Sequence, residues 1–216
     1  MPTAMKENDE LEAYTEAHTD PEGSYLHRLW RATNLYTVHG HMASGHLQGR
    51  LLKMLVTMIR PRHILEVGTF SGYSAICMAE GLEHGGMVHT FEINDEMEDF
   101  TRQWIEGSDV ADRIDFRIGD AATEAPKLGI SFDMAFIDGD KRTYVETFNA
   151  IRTCMAPHAF ILADNTLWDG HVVDSHYNHD AQTLGIRRFN DFIAQDNSLE
   201  KVIVPIRDGL TLIRLK

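Results

Sequence analysis

The fold is decided by the stretch His63-Ile64-Leu65-Glu66-Val67-Gly68-Thr69-Phe70-Ser71-Gly72-Tyr73-Ser74. A short apolar β-type run carries an acid near its end and breaks at Gly68 and Gly72. It then passes at once into a helical pattern over Tyr73 to Leu82. Strand, glycine-bearing turn and helix in that order build a nucleoside crevice in an open α/β sheet, because glycine lets backbone approach a ligand where a side chain would clash. The spacing is close to the dinucleotide fingerprint G-x-G-x-x-G, but Phe70 stands at the middle glycine. That glycine admits a pyrophosphate, so its loss disfavours a phosphate-bearing ligand and a nicotinamide oxidoreductase. A nucleoside without phosphates, such as S-adenosylmethionine, is retained. Taken alone, the stretch is explained as well by an unspecialised packing corner.

Upstream of it lie a polar arm over residues 1–20, with a short helix around Leu11–Ala17, and two helical patterns. The first is opened by Pro21 and carries Leu26, Leu29 and Trp30 as far as Tyr36; His39-Gly40-His41 breaks it. The second, over residues 46–60, places Leu47, Leu51, Leu52, Leu55, Val56 and Ile59 on one side, and Pro61 ends it.

Downstream, strand and helix alternate: strands at Met87–Ile93, Ile114–Ile118, Phe132–Ile137 and Phe160–Ala163, helices at Asp95–Ile105, Tyr144–Met155 and Gln182–Ile193. The runs Lys201–Ile206 and Leu210–Leu215, joined by Arg207-Asp208-Gly209, read as a hairpin. The expected architecture is one α/β domain over residues 21–216, with residues 21–60 as a helical cap. Its sheet is mostly parallel, with one antiparallel strand near an edge.

The bulk properties narrow the function. A length of 216 residues suits one sizeable domain. A formal charge of −13 excludes a nucleic-acid surface, which needs Lys/Arg clusters to displace phosphate counterions. The two cysteines, Cys77 and Cys154, make no disulfide framework, and no apolar run is long enough for a membrane span. The polar start lacks a signal-peptide pattern, so a soluble cytoplasmic protein is expected.

Taking each parallel strand to its carboxyl end gives Glu66 and Gly68, then Glu92, then Asp120, then Asp138, then Asp164 with Asn165. Ligands bind at that rim in such sheets. Any single acid there is explained equally well as a cap on the following helix. Five together repel one another unless a cation is bound. Glu92 stands where a carboxylate accepts ribose hydroxyls, and the small Ala121, after Asp120, leaves room for an adenine ring. Asp138 and Asp164 end strands expected to be neighbours, with Asn165 as a third oxygen donor. All-oxygen ligation suits a hard ion, Mg²⁺ above all, with Ca²⁺ or Mn²⁺ as alternatives. Lys141, three residues after Asp138, suits a general base; a solvated lysine paired with Asp140 is the plainer reading.

These residues give the chain a specific resemblance. It is similar to the cation-dependent class I O-methyltransferases of the caffeoyl-CoA and catechol type, with a Rossmann-like, seven-stranded sheet, an antiparallel C-terminal hairpin and helices on both faces. The matching segments are Met42 to Gly49, Leu65-Glu66-Val67-Gly68 through Ser74, Phe91-Glu92, Phe136-Ile137-Asp138-Gly139-Asp140-Lys141, Asp164-Asn165-Thr166-Leu167-Trp168 and Asp208-Gly209. The resemblance implies S-adenosylmethionine contacts from Met42, Glu66, Gly68, Ser74, Glu92, Ala121 and Asp138, and Asp120 is expected beside them. It implies metal ligation by Asp138, Asp164 and Asn165, a base at Lys141 and a small aromatic hydroxyl substrate. Ser44 falls where plant relatives carry a threonine near the metal. Trp168 and Tyr177 are expected to wall the acceptor pocket, with Asp169–Asp180 as its loop. His171, His176 and His179 depart from the family; they fit no standard metal signature and read as loop histidines. A homodimer through the helices carrying Leu26, Trp30 and Leu51 is expected, against the plainer reading that these helices only cover the sheet. Two other functions stay open: a metal-independent small-molecule methyltransferase and a non-catalytic nucleoside-binding module.

Overall fold

The computed structural model describes residues 10–11 and 13–216; the part of the expected arm before residue 10 lies outside the described residues. Residues 13–17 are helical, within the expected short helix. The main helices are α1 (Ser24–Tyr36), α2 (Gly45–Ile59), α3 (Tyr73–Gly81), α4 (Glu98–Glu106), α5 (Ala121–Glu124), α6 (Tyr144–Arg152) and α7 (Ala181–Gln195). Seven strands form one sheet: β1 (His63–Val67), β2 (Met87–Glu92), β3 (Ile114–Ile118), β4 (Phe132–Ile137), β5 (Met155–Ala163), β6 (Leu199–Val204) and β7 (Leu210–Leu215).

The spatial order is β3-β2-β1-β4-β5-β7-β6. β1 pairs in parallel with β2 on one side and β4 on the other, so the order reverses at β1 and opens the crevice there. β7 slots antiparallel between β5 and β6.

The inner strands β1 and β4 and the end of β5 are buried on both faces, as a sheet covered by helices on each side demands, whereas the edge strand β6 is largely exposed. Ile64, Met134, Phe136 and Leu162 point into a core shared with α1, α2 and α3. Their neighbours Leu65, Ala135, Ile137, Ile161 and Ala163 point into the opposite core, with α6 and α7. Leu26 is buried in the first core and Leu51 packs against it, so these two cover the sheet instead of forming a free surface. Trp30 stays partly exposed.

Several boundaries differ from the sequence reading for local reasons. Helix α1 starts at Ser24 behind Gly23 (φ 85°), not at Pro21, and the intervening Glu22 turns inward to the Tyr73 hydroxyl. Helix α6 stops at Arg152, and β5 begins as early as Met155, which pairs with Phe132. β6 ends at Val204 because Pro205 has no N–H for the ladder.

Candidate active site

The carboxyl ends of β1, β2, β3 and β4, together with the loop after β5 and the β6–β7 turn, surround one cleft of about 1660 Å³. Its lining includes Met42, Gly68, Glu92, Asp120, Ala121, Asp138, Lys141, Asn165 and Trp168 from the expected set. Glu66, Ser74, Asp164 and Ser44 stand behind that lining, all buried.

The floor is the turn after β1. Gly68 has φ 94°, and a Cβ there would stand 2.2 Å from the Asp138 carbonyl oxygen. The glycine is therefore demanded by the closeness of the β1 and β4 exits, before any ligand is considered. Glu92 holds the turn from the side: one carboxylate oxygen accepts the Phe70 N–H at 2.7 Å and the other accepts the Asn94 N–H at 2.8 Å. Phe70 needs that support, since it sits at φ 46°. Beneath, Glu66 is fully buried and accepts the Thr90 hydroxyl at 2.5 Å. Burial pushes its carboxyl up to about 8; the hydroxyls of Ser74 and Thr90 pull back, and Asp138 and Glu92 add to the rise. Only the Thr90 bond has full hydrogen-bond geometry, so Glu66 Oε1 has no partner. Asp120 spends its carboxylate on its own helix, accepting the Ala122 N–H at 3.0 Å and the Thr123 hydroxyl at 2.8 Å. The carboxylate thus caps α5, while the residue also lines the cleft.

The opposite wall is charged. Ile137 and Ala163 are paired in register, so Asp138 and Asp164 leave adjacent strands side by side. The buried Tyr144 hydroxyl reaches the carbonyls of Ile137 at 3.2 Å and Asp164 at 3.1 Å, tying the two exits together. Lys141 is only 7% exposed, and its Nζ lies 2.7 Å from Asp138 Oδ1. It also stands 5.2 Å from the Tyr144 ring centre and 5.9 Å from that of Trp168. The plainer pairing with Asp140 is not made: Asp140 binds Arg142. Gly185 of α7 makes room for this turn, since a Cβ there would lie 2.3 Å from the Lys141 carbonyl. Burial works against the Lys141 ammonium, but the adjacent Asp138 carboxylate and Tyr144 hydroxyl together outweigh it, and the net shift is upward.

Asp164 is 3% exposed. Burial first and repulsion from Asp138 second push its carboxyl up to about 7, opposed by the Gln48 amide and by Lys141. Asn165, in the left-handed region at φ 57°, donates its amide N–H to Asp208 Oδ2 at 2.8 Å. That leaves the amide oxygen as its ligand-capable end.

The loop after Trp168 is better ordered than its composition suggests. Arg187 of α7 donates to the carbonyls of Val172, His171 and Asp174 and to the Asn178 side chain, at 2.7–2.9 Å. His171 stacks on Tyr177 at 3.5 Å, and Tyr177 is not part of the cleft lining. His176 pairs with Asp174. Among the described residues no three His, Cys, Asp or Glu side chains form a metal-holding group. The expected oxygen set has only two carboxylates, completed by an amide. Sequence reasoning missed the roles of Gln48, Arg187 and Arg207, which support the site from distant segments: Gln48 lies within the matching segment Met42 to Gly49 and Arg207 in the hairpin turn, but nothing local shows what either reaches.

The chain matches the O-methyltransferase family over residues 15–216. It is 34% identical over 181 residues to caffeoyl-CoA O-methyltransferase 1 of Eucalyptus globulus, covering 77% of this chain and 72% of that one. It is 32% identical over 178 residues to catechol O-methyltransferase of Niastella koreensis, covering 78% and 80%. Among solved structures, the O-methyltransferase TomG of Streptomyces achromogenes, in complex with SAM, superposes with a TM-score of 0.86 at 26% identity over 96% of each chain. The chain belongs to the O-methyltransferase family and is an S-adenosylmethionine-dependent O-methyltransferase.

Proposed function

We propose that this enzyme methylates a hydroxyl of a catechol-type small molecule with the help of a divalent cation, Mg²⁺ in the first instance. The observation that carries this reading is the pair Asp138 and Asp164 at the ends of adjacent strands, the first lining the cleft and the second buried behind it, with one cation, Lys141, held against Asp138. Two neighbouring carboxylates with one ammonium leave a surplus negative charge; burial is the first cause of the raised Asp164 carboxyl, and repulsion from Asp138 adds to it. Oxygens of Asp138, Asp164 and Asn165 fit a hard divalent ion. Bound there, such an ion supplies a Lewis acid and a template for two adjacent hydroxyls.

The chain's own residues do the rest. Glu92 and Gly68 shape the floor that receives the nucleoside, with the small Ala121 beside it. Trp168 offers an aromatic face within reach of Lys141. Lys141 holds a proton at Nζ for as long as Asp138 stays paired with it, so its service as a base requires the Asp138 charge to be engaged elsewhere. Attack by an ionised oxygen on a sulfonium methyl neutralises opposite charges, so positioning and exclusion of water carry the rate.

The cleft also bears on the acceptor. Glu92, Glu96, Asp138, Asp169 and Asp208 line it against Lys141 and Arg207. An acidic cleft in a chain of charge −13 favours an uncharged or cationic catechol over a polyanionic CoA thioester. A homodimer is part of the same reading, supported by the exposed Trp30, Met54 and Met58 on α1 and α2. A panel of free catechols, hydroxycinnamates and a CoA thioester, with S-adenosylmethionine and Mg²⁺ and product detection by mass, tests it. Methyl transfer is expected to free vicinal diols, with the thioester slower; transfer only to acceptors lacking a vicinal diol would overturn it.

A further inference from the structure

Gln48 sits in the first turns of α2 and is 1% exposed. A buried amide costs free energy unless every polar atom finds a partner, and a methionine would fill the same space without that cost. Gln48 is satisfied at both ends. Its Nε2 donates to Asp164 Oδ2 at 2.6 Å, and its Oε1 accepts from Arg207 Nη1 at 2.8 Å. The direction of the amide is fixed chemically: a guanidinium only donates, so the amide oxygen must face Arg207 and the NH₂ must face Asp164.

Arg207 is anchored in turn. It lies in the β6–β7 turn at φ 49°, and the same nitrogen donates to the Ser44 carbonyl. The neighbouring Asp208 accepts from Asn165 at 2.8 Å. Asp164 and Asn165 are thus each held by one arm from outside their own strand, and both arms lead to residues 207 and 208. The second oxygen of Asp164 accepts the Asn165 N–H at 2.9 Å, so contacts on both oxygens fix the plane of this carboxylate.

We propose that Gln48 is a positioning residue for cation binding: it sets the orientation of Asp164, and Arg207 sets the orientation of Gln48. The inference rests on the reading of Asp138, Asp164 and Asn165 as a divalent-cation site and assigns no chemistry to Gln48 itself. Partners that orient a ligating group are worth about 10–100-fold in metal affinity.

The test is direct Mn²⁺ binding, read as the loss of the free-ion signal in electron paramagnetic resonance. It is run on the wild type, Gln48→Met, Arg207→Met, Arg207→Lys and the Gln48→Met/Arg207→Met double variant, each beside its melting temperature in EDTA. Gln48→Met is expected to weaken Mn²⁺ by about 10–100-fold. Its turnover should recover at saturating Mg²⁺, and its S-adenosylmethionine affinity in EDTA should stay near wild type. Arg207→Met should weaken Mn²⁺ less, and Arg207→Lys, which still donates, should restore it. The double variant should be no worse than Gln48→Met alone, because residues of one chain are not additive. Wild-type Mn²⁺ affinity in Gln48→Met, or full additivity in the double variant, overturns the inference. Should Gln48→Met fail to fold, the Arg207→Met and Arg207→Lys pair decides it alone. Absence of Mn²⁺ binding by the wild type would instead overturn the cation site, and this inference with it.

Discussion

Two exits of the same sheet, those of β1 and β5, lie on one rim and are built in opposite ways. The turn after β1 is held from close by: a glycine at φ 94°, a strained Phe70 and the carboxylate of Glu92 from the adjacent strand. The exit of β5 is held from afar, by Gln48, Asp208 and the carbonyl-seeking Tyr144, with Arg207 behind them. The first is a backbone shape that tolerates whatever lies above it. The second is a set of charges whose directions depend on distant segments. Holding a cofactor asks for shape, whereas placing reactive oxygens asks for direction.

The sharpest way to separate the two regions is to damage each and ask what is lost. Lys141→Ala removes the proposed base and should lower turnover by about 10²–10⁴-fold while S-adenosylmethionine still binds, as single-turnover kinetics beside calorimetry would show. Gly68→Ala should do the reverse, acting on the fold before the chemistry. Its Cβ would meet the Asp138 carbonyl at 2.2 Å in a left-handed backbone, a strain of roughly 1–3 kcal/mol or more. A fall in melting temperature of several degrees is expected for a chain of this size.

Glu66 sharpens the comparison by pH. Its carboxyl keeps a proton up to about 8 in the fold, against an ordinary value of 4.5. Its contribution to stability is therefore fully present below about pH 4.5 and is lost as pH rises through about 8. Asp164, raised to about 7, acts in the same direction. Thermal melts without cofactor should show the wild type losing stability from pH 6 to pH 9, and Glu66→Gln should lose less over that interval. The smallest effect is expected from Asp120→Ala. The loss of one cap should cost about 1 kcal/mol, with S-adenosylmethionine affinity nearly unchanged. A large loss of that affinity would move Asp120 from the helix cap to the cofactor.

The same contrast explains what could be read from sequence. The β1 exit was legible because its causes are local: apolar run, Gly68, Gly72 and a helical pattern sit within a dozen residues. The strand-end acids were legible too, since register follows from where each apolar run stops. Their surroundings were not. Gln48 reaches Asp164 across 116 positions, and Arg207 reaches Gln48 across 159. No periodicity records such a pairing. Tyr177 was expected in the pocket for its ring alone, but stacking on His171 takes that ring elsewhere. The loop from Trp168 reads as irregular because its order comes from Arg187, one side chain on a later helix. Lys141 is the instructive middle case: its position was legible, but its pairing with Asp138 and not Asp140 depends on the packing of α7 against its turn.

The central claim is that the β4 and β5 exits do chemistry through a divalent cation that the β1 floor does not need. The most direct measurement follows methyl transfer from labelled S-adenosylmethionine to a free catechol, first in EDTA and then with Mg²⁺ restored in excess, with cofactor affinity measured in both. The account predicts turnover that collapses in EDTA and returns with Mg²⁺, while cofactor affinity hardly moves. Full turnover in EDTA would contradict it.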